Sequence, residues 1–296
     1  MENSSMTARV SAFARACHAR ETEPKIFDDS MAEALLGKAE YDAVAGSLAG
    51  GIGYFCPGFS GSRTEAVNWA VRRRLAPTPL ARAAFAENAL ARAAALGTGQ
   101  YLILGAGYDT FALRQPEWAA GMRIFEVDRP AVLADKAARM ARAGIVPPEN
   151  LRLVPADLSD PDWPRALEEA GFDARTRSFC SLLGLVCYLS PEEFGRLLAA
   201  LSARMPRGSA LAFDYPVRAA AAPEQAELAR AAGEEMRGAY TRGELERLLA
   251  GTGFLAYEHP GPAELTNRFF QSYNTAHPEA PMAAEERVNC CLAVRQ

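Results

Sequence analysis

The chain has 296 residues, 49% of them hydrophobic and 23% charged, the proportions of a soluble globular protein with room for one large domain and additions. A net charge of −4 leaves no electrostatic footprint for nucleic acid or an anionic membrane, and no apolar run approaches the roughly 18 residues of a membrane span. Six cysteines (17, 56, 180, 187, 290 and 291) without CxxC or regular spacing argue against a disulfide scaffold or a metal site. With no signal-peptide pattern over Met1–Met6, they predict a cytoplasmic chain.

Residues 7–19 read as a first helix whose apolar stripe is Val10, Phe13, Ala14 and Cys17. Arg15 and His18 share another face, either solvated or functional. A second helix is expected from Asp28 to Leu36. Gly46 to Gly61, rich in glycine and aromatics, reads as a long irregular loop, either a lid or a plain surface excursion. Arg72-Arg73-Arg74 reads as a solvated helix face. Pro79 opens a helix to about Leu96, in which Arg82 shares a face with Phe85, Ala86, Ala89 and Ala93. A cation there must snorkel or find a partner, and a ligand is one such partner.

Tyr101–Leu104 runs straight into Gly105-Ala106-Gly107, the pattern of a strand buried on both faces and then a tight turn that a ligand can approach closely. Gly-x-Gly also ends ordinary strands. The dinucleotide fingerprint wants a third glycine where this chain has Thr110, and Tyr108-Asp109 fill the turn. A pyrophosphate needs the following helix N-terminus left open, whereas S-adenosylmethionine (SAM), without phosphates, does not. The departure therefore leans toward SAM over NAD, with an NAD-linked oxidoreductase as the competing class.

After a helix-compatible segment, Arg123–Val127 forms a second strand ending at Asp128, 23 positions past Gly105 and near the ~20-residue offset at which an acid accepts hydrogen bonds from a ribose. A paired or solvated aspartate is the bland alternative. Leu151–Pro155 is a third strand, and Asp157-Leu158 beyond it could flank an adenine. Strands four and five are Arg177–Leu182 and Ala210–Tyr215. Between them Ser190-Pro-Glu-Glu193 is a capping box that opens a helix burying Phe194, Leu197, Leu198 and Leu201. Residues 216–239 look like an inserted helix. Thr241-Arg-Gly-Glu244 caps another helix, and Phe254–His259 and Val288–Val294 are closing strands joined by a long loop. The alternation from residue 100 onward predicts an α/β fold, a mostly parallel sheet with helices on both faces.

With these residues placed, the chain resembles the leucine carboxyl methyltransferase family of class I SAM-dependent methyltransferases, and within it the bacterial small-molecule O-methyltransferases. The resemblance is carried by Arg15-Ala-Cys-His18, Lys25–Ala32, Arg82 with Glu87, Gln100–Ala112, Phe125–Asp128, Val154–Leu158, Leu183–Ser190 and Gly208–Tyr215. It implies a Rossmann-like, seven-stranded sheet with a reversed last strand. Residues 1–97 would be a helical cap and lid, 98–215 the SAM-binding core, 216–240 a helical insertion and 241–296 the rest of the core. It also implies SAM as the cofactor: Arg82 on its carboxylate with Arg15 assisting, Gly105, Ala106 and Gly107 under the methionine part, Asp128 on the ribose, and Asp157-Leu158 on the adenine. Many members carry a glutamate for the SAM amino group where this chain has Leu183, so that contact is open.

A carboxylate acceptor, ionised at pH 7, needs no general base, whereas a phenol near pKa ~10 gains from one. His18 is the residue expected to line the acceptor pocket, as base or substrate-orienting group. Tyr188, beyond the end of strand four, and Tyr215, at the end of strand five, could orient the substrate or be core edges. The expected partner is a small-molecule acceptor, methylated in line, with no nucleic acid and no membrane. A protein carboxyl methyltransferase and a catalytically silent SAM-binding subunit are the alternatives.

Overall fold

The computed structural model describes residues 6–21, 23–218 and 236–296. Its strands are β1 (Gln100–Leu104), β2 (Arg123–Asp128), β3 (Leu151–Pro155), β4 (Ser178–Leu182), β5 (Ala210–Pro216), β6 (Phe254–Glu258) and β7 (Val288–Arg295). They form one seven-stranded sheet in the order β3-β2-β1-β4-β5-β7-β6. β3 through β5 pair in parallel, and β7 runs antiparallel to both its neighbours. Every residue of β1 and β4 is buried, which is why these strands read as unbroken apolar or small-residue runs instead of alternating. The chain steps outward from β1 to β3 and then returns to β4. The crevice at the carboxyl ends of β1 and β4 is therefore the topological switch point at which α/β sheets bind ligands.

Helices cover both faces. On one face α1 (Met6–Ala19) and α6 (Pro77–Ala95) pack Phe13, Leu80, Phe85 and Ala86 against Tyr101, Ile103 and Ala212 of the sheet. On the other, α7 (Pro191–Ser202) and α8 (Arg242–Gly251) pack Phe194, Leu198, Leu245 and Leu249 against Leu211, Phe213 and Tyr215. The capping boxes at Ser190–Glu193 and Thr241–Glu244 are both closed, each hydroxyl taking the backbone N–H three residues on.

Several local expectations change. The second helix shortens to α2 (Ala32–Leu36). The glycine-rich stretch from residue 46 is mostly helical: α3 (Lys38–Gly50) and α4 (Ile52–Phe55) precede α5 (Arg63–Ala70). Tyr41, Val44, Ala45 and Leu48 pack α3 on the core, and that burial outweighs the helix penalty of its glycines. The β1–β2 connection holds only short 3-10 turns at Phe111–Leu113 and Glu117–Ala119 instead of a helix. The Asp109 carboxylate takes the Phe111 N–H at 2.8 Å, and Pro116, which has no N–H to donate, separates the two turns. The expected loop between β6 and β7 is largely helical over residues 262–276. The inserted helix over 216–239 lies outside the described residues for 219–235.

Candidate active site

At the switch point the backbone itself is the surface. Gly105 (φ 67°) and Gly107 (φ 47°) occupy the left-handed region. A Cβ at Gly105 would lie 3.2 Å from Leu185, and one at Gly107 would lie 3.2 Å from Ala8. The N–H groups of Gly105 and Ala106 both point at the Val127 carbonyl (2.9 and 3.2 Å), which locks the turn to the end of β2. Asp128 follows there. Its Oδ2 accepts the Gly107 N–H and its Oδ1 the Arg129 N–H, both at 2.7 Å. Burial raises its carboxyl pKa despite these two bonds, and each oxygen keeps a lone pair for a further donor. Asp157, beyond β3, is instead lowered, because the Ser159 N–H (2.9 Å) and hydroxyl (2.7 Å) both donate to its Oδ1.

These groups line a cleft of about 1890 Å³. A drug-sized ligand fills roughly 300–1,000 Å³, so the cleft has space for two small molecules side by side. Gly105, Ala106, Gly107, Asp128, Asp157 and Leu158 lie on its sheet wall. Leu183 and Tyr188, from the segment after β4, line it as well.

The cap wall is tied down by charge. Asp29, its side chain fully buried, receives Arg15 Nε at 2.7 Å and the Thr110 hydroxyl at 2.6 Å, with Arg114 Nε at 3.4 Å. Burial pushes its carboxyl up, but Arg15 and Arg114 outweigh this and hold it below the usual range. Arg15 also donates to the Tyr108 carbonyl (2.8 Å) and the Ser11 hydroxyl (2.9 Å), which docks α1 onto the glycine turn. Arg114 continues to Glu87 (3.0 Å), whose carboxyl burial raises. Arg82, from α6, enters the cleft between Ser11 and Asp214, each only 3.4 Å away. Gly184 makes room for it: at φ 68°, a Cβ there would sit 2.4 Å from the Arg82 guanidinium.

Two expected residues are elsewhere. His18 is buried behind the cap, with Nε2 accepting the Ile26 N–H at 2.9 Å and its ring 5.2 Å from that of Tyr273. Burial lowers its pKa to about 4, and it does not line the cleft. The chain returning through Ile26 covers the ring, which a helical-face argument could not reveal. Tyr215 points to the opposite face of β5, its hydroxyl against His259 and 3.2 Å from Asn289 Nδ2. Alternation along a strand allows Asp214 or Tyr215 to face the cleft, not both, and the structure turns Asp214 toward it. Asp214 and Asp29 are the site residues that sequence reasoning passed over. An acid next to the end of an apolar strand was the available signal for Asp214. Asp29 carried none beyond its place in a motif.

The family model described as "Leucine carboxyl methyltransferase" matches residues 8–202. The chain is 36% identical over 281 residues to the Bacillus subtilis (strain 168) protein named "Putative S-adenosyl-L-methionine-dependent methyltransferase YktD", covering 91% of this chain and 92% of that one. A Mycobacterium marinum protein, named "Putative S-adenosyl-L-methionine-dependent methyltransferase", is 30% identical over 291 residues, with 94% and 86% covered. Among solved structures, a DUF574 family protein of Streptomyces avermitilis superposes with a TM-score of 0.61 at 18% identity, covering 99% of this chain and 98% of that one. The chain belongs to the leucine carboxyl methyltransferase family and has the class I methyltransferase fold.

Proposed function

We propose that this chain is a SAM-dependent O-methyltransferase whose acceptor is a small molecule. The observation that carries the reading is the cleft, about 1890 Å³ at the switch point, with space for an acceptor beside a cofactor. The residues present fit SAM by their own chemistry. The turn, with no Cβ at Gly105 or Gly107, admits close approach, Asp128 keeps free lone pairs for a ribose, and Asp157 and Leu158 line the same cleft beyond β3, where they could take an adenine. Arg82 has only long contacts and is available to a carboxylate. SAM, when bound, supplies a methyl group on a sulfonium that an in-line oxygen nucleophile can take. The chain's part is to hold the two reactants at near-attack distance and to exclude water, which lowers the barrier without proton transfer.

The acceptor side is lined by Tyr54 and Phe55 of α4, by Tyr188, and by Met236–Ala239. Aromatic and apolar side chains on both sides of this region support a small acceptor over a protein tail. None of the three histidines lines the cleft, which favours an oxygen already ionised at pH 7, such as a carboxylate. Transfer of tritium from methyl-labelled SAM to a panel of small acids, phenols and carboxyl-terminal peptides tests the reading. Label released as methanol by mild base marks an ester, and base-stable label marks an ether. Incorporation into peptides alone would overturn the small-molecule assignment.

A further inference from the structure

The amino-acid end of SAM carries an ammonium as well as a carboxylate, and a buried site must answer both charges. Leu183 supplies neither a charge nor a hydrogen bond. An anion stands one strand away. Asp214, on β5, is 6% exposed and lines the cleft. Its Oδ1 accepts the Gly184 N–H at 2.6 Å, which pins the carboxylate beside the residue following Leu183. Its Oδ2 is approached by Arg82 at 3.4 Å. That distance is too long for a strong charge-assisted bond, so the oxygen retains most of its accepting capacity. The local positive charge comes from Arg82, whose other terminal nitrogen reaches the Ser11 hydroxyl at 3.4 Å.

We infer that Arg82 and Asp214 together form a receptor for a zwitterionic amino-acid head group, with Asp214 as the ammonium-binding carboxylate of this chain. This inference rests on the SAM reading above. Gly184 serves it twice: its N–H fixes Asp214, and its missing side chain leaves the space that Arg82 occupies. Hydrogen bonds to charged groups are among the stronger ones, so loss of this contact predicts a roughly tenfold or greater loss of affinity.

The test is calorimetry with three ligands: S-adenosylhomocysteine, its deaminated analogue, and 5′-methylthioadenosine, which has no amino-acid end. Wild type should bind the first at least about tenfold more tightly than the second. Asp214→Asn should remove that preference and leave methylthioadenosine binding within about twofold, which reports an intact fold. Leu183→Glu added to Asp214→Asn should restore part of the preference by supplying an anion from the neighbouring segment. Unchanged S-adenosylhomocysteine affinity in Asp214→Asn would overturn the inference, as would an equal loss for all three ligands. If wild type binds neither S-adenosylhomocysteine nor methylthioadenosine, the SAM reading itself fails, and this inference with it.

Discussion

The two walls of the cleft are held by different kinds of bond. On the sheet wall each polar group engages backbone: Asp128 takes the Gly107 and Arg129 N–H groups, Asp157 takes the Ser159 N–H, and the glycine turn donates to the Val127 carbonyl. On the cap wall the fixing groups are other side chains, in a chain of charge from Arg15 through Asp29 and Arg114 to Glu87. Local backbone geometry therefore shapes one wall. The other exists only once α1, α2, α6 and the turn after β1 have packed together. Damage should follow the same division, with sheet-wall variants losing ligand and cap-wall variants losing the fold.

The largest expected effect lies on the cap wall. Asp29→Ala leaves Arg15 and Arg114 buried without their shared anion and should destabilise by about 3–5 kcal/mol, measured as a shift in the urea midpoint at constant slope. Equal stability would mean that the charge chain is not what holds the cap.

Behind that wall, His18 predicts an acid dependence. Its pKa falls from 6.5 to about 4 on folding because burial disfavours the imidazolium. An unfolded chain therefore takes up a proton as pH drops through about 6.5, and the folded chain does not until about 4. The contribution of this group to stability is full above pH 6.5 and is lost on acidification, by up to about 3 kcal/mol. Chemical denaturation of wild type and His18→Gln across this range should show the slope in the first and a shallower one in the second. Turnover of folded His18→Gln at neutral pH should stay near that of wild type, because the ring does not reach the cleft.

On the sheet wall, Asp128→Ala should weaken S-adenosylhomocysteine binding by about tenfold or more, with only a small change in melting temperature. Unchanged affinity would remove Asp128 from the ribose role. The smallest effect belongs to the rim. Tyr54, 69% exposed yet lining the cleft, should on change to Ala raise the acceptor KM by about fivefold or less and leave cofactor affinity alone. A cofactor defect there would blur the distinction between the walls.

Much of the sheet wall was legible beforehand, because its signals are local. The apolar run of β1 ending in two glycines, the acid at the end of β2 and the Asp157-Leu158 pair each depend on residues adjacent in sequence. Three of the errors originate in packing between distant segments. The stretch from Gly46 looked like a loop because glycine disfavours helices, yet the partly buried Tyr41, Val44 and Leu48 pack α3 against the core. His18 looked available on a helical face until the chain returned through Ile26 to cover it. At the end of β5 the choice between Asp214 and Tyr215 turned on which face of the strand α6 covers.

The sequence by itself determined the order of the strands, the capping boxes at Ser190 and Thr241, and the glycine turn with its following acid, since hydrophobic period, caps and tight turns are properties of contiguous residues. Only the tertiary structure decided that Asp214 stands beside Arg82, that Asp29 joins two arginines, and that His18 and Tyr215 face away from the cleft. These depend on contacts across as many as 132 positions of chain, between Arg82 and Asp214, and a side chain's partner at that separation is chosen by how the layers pack.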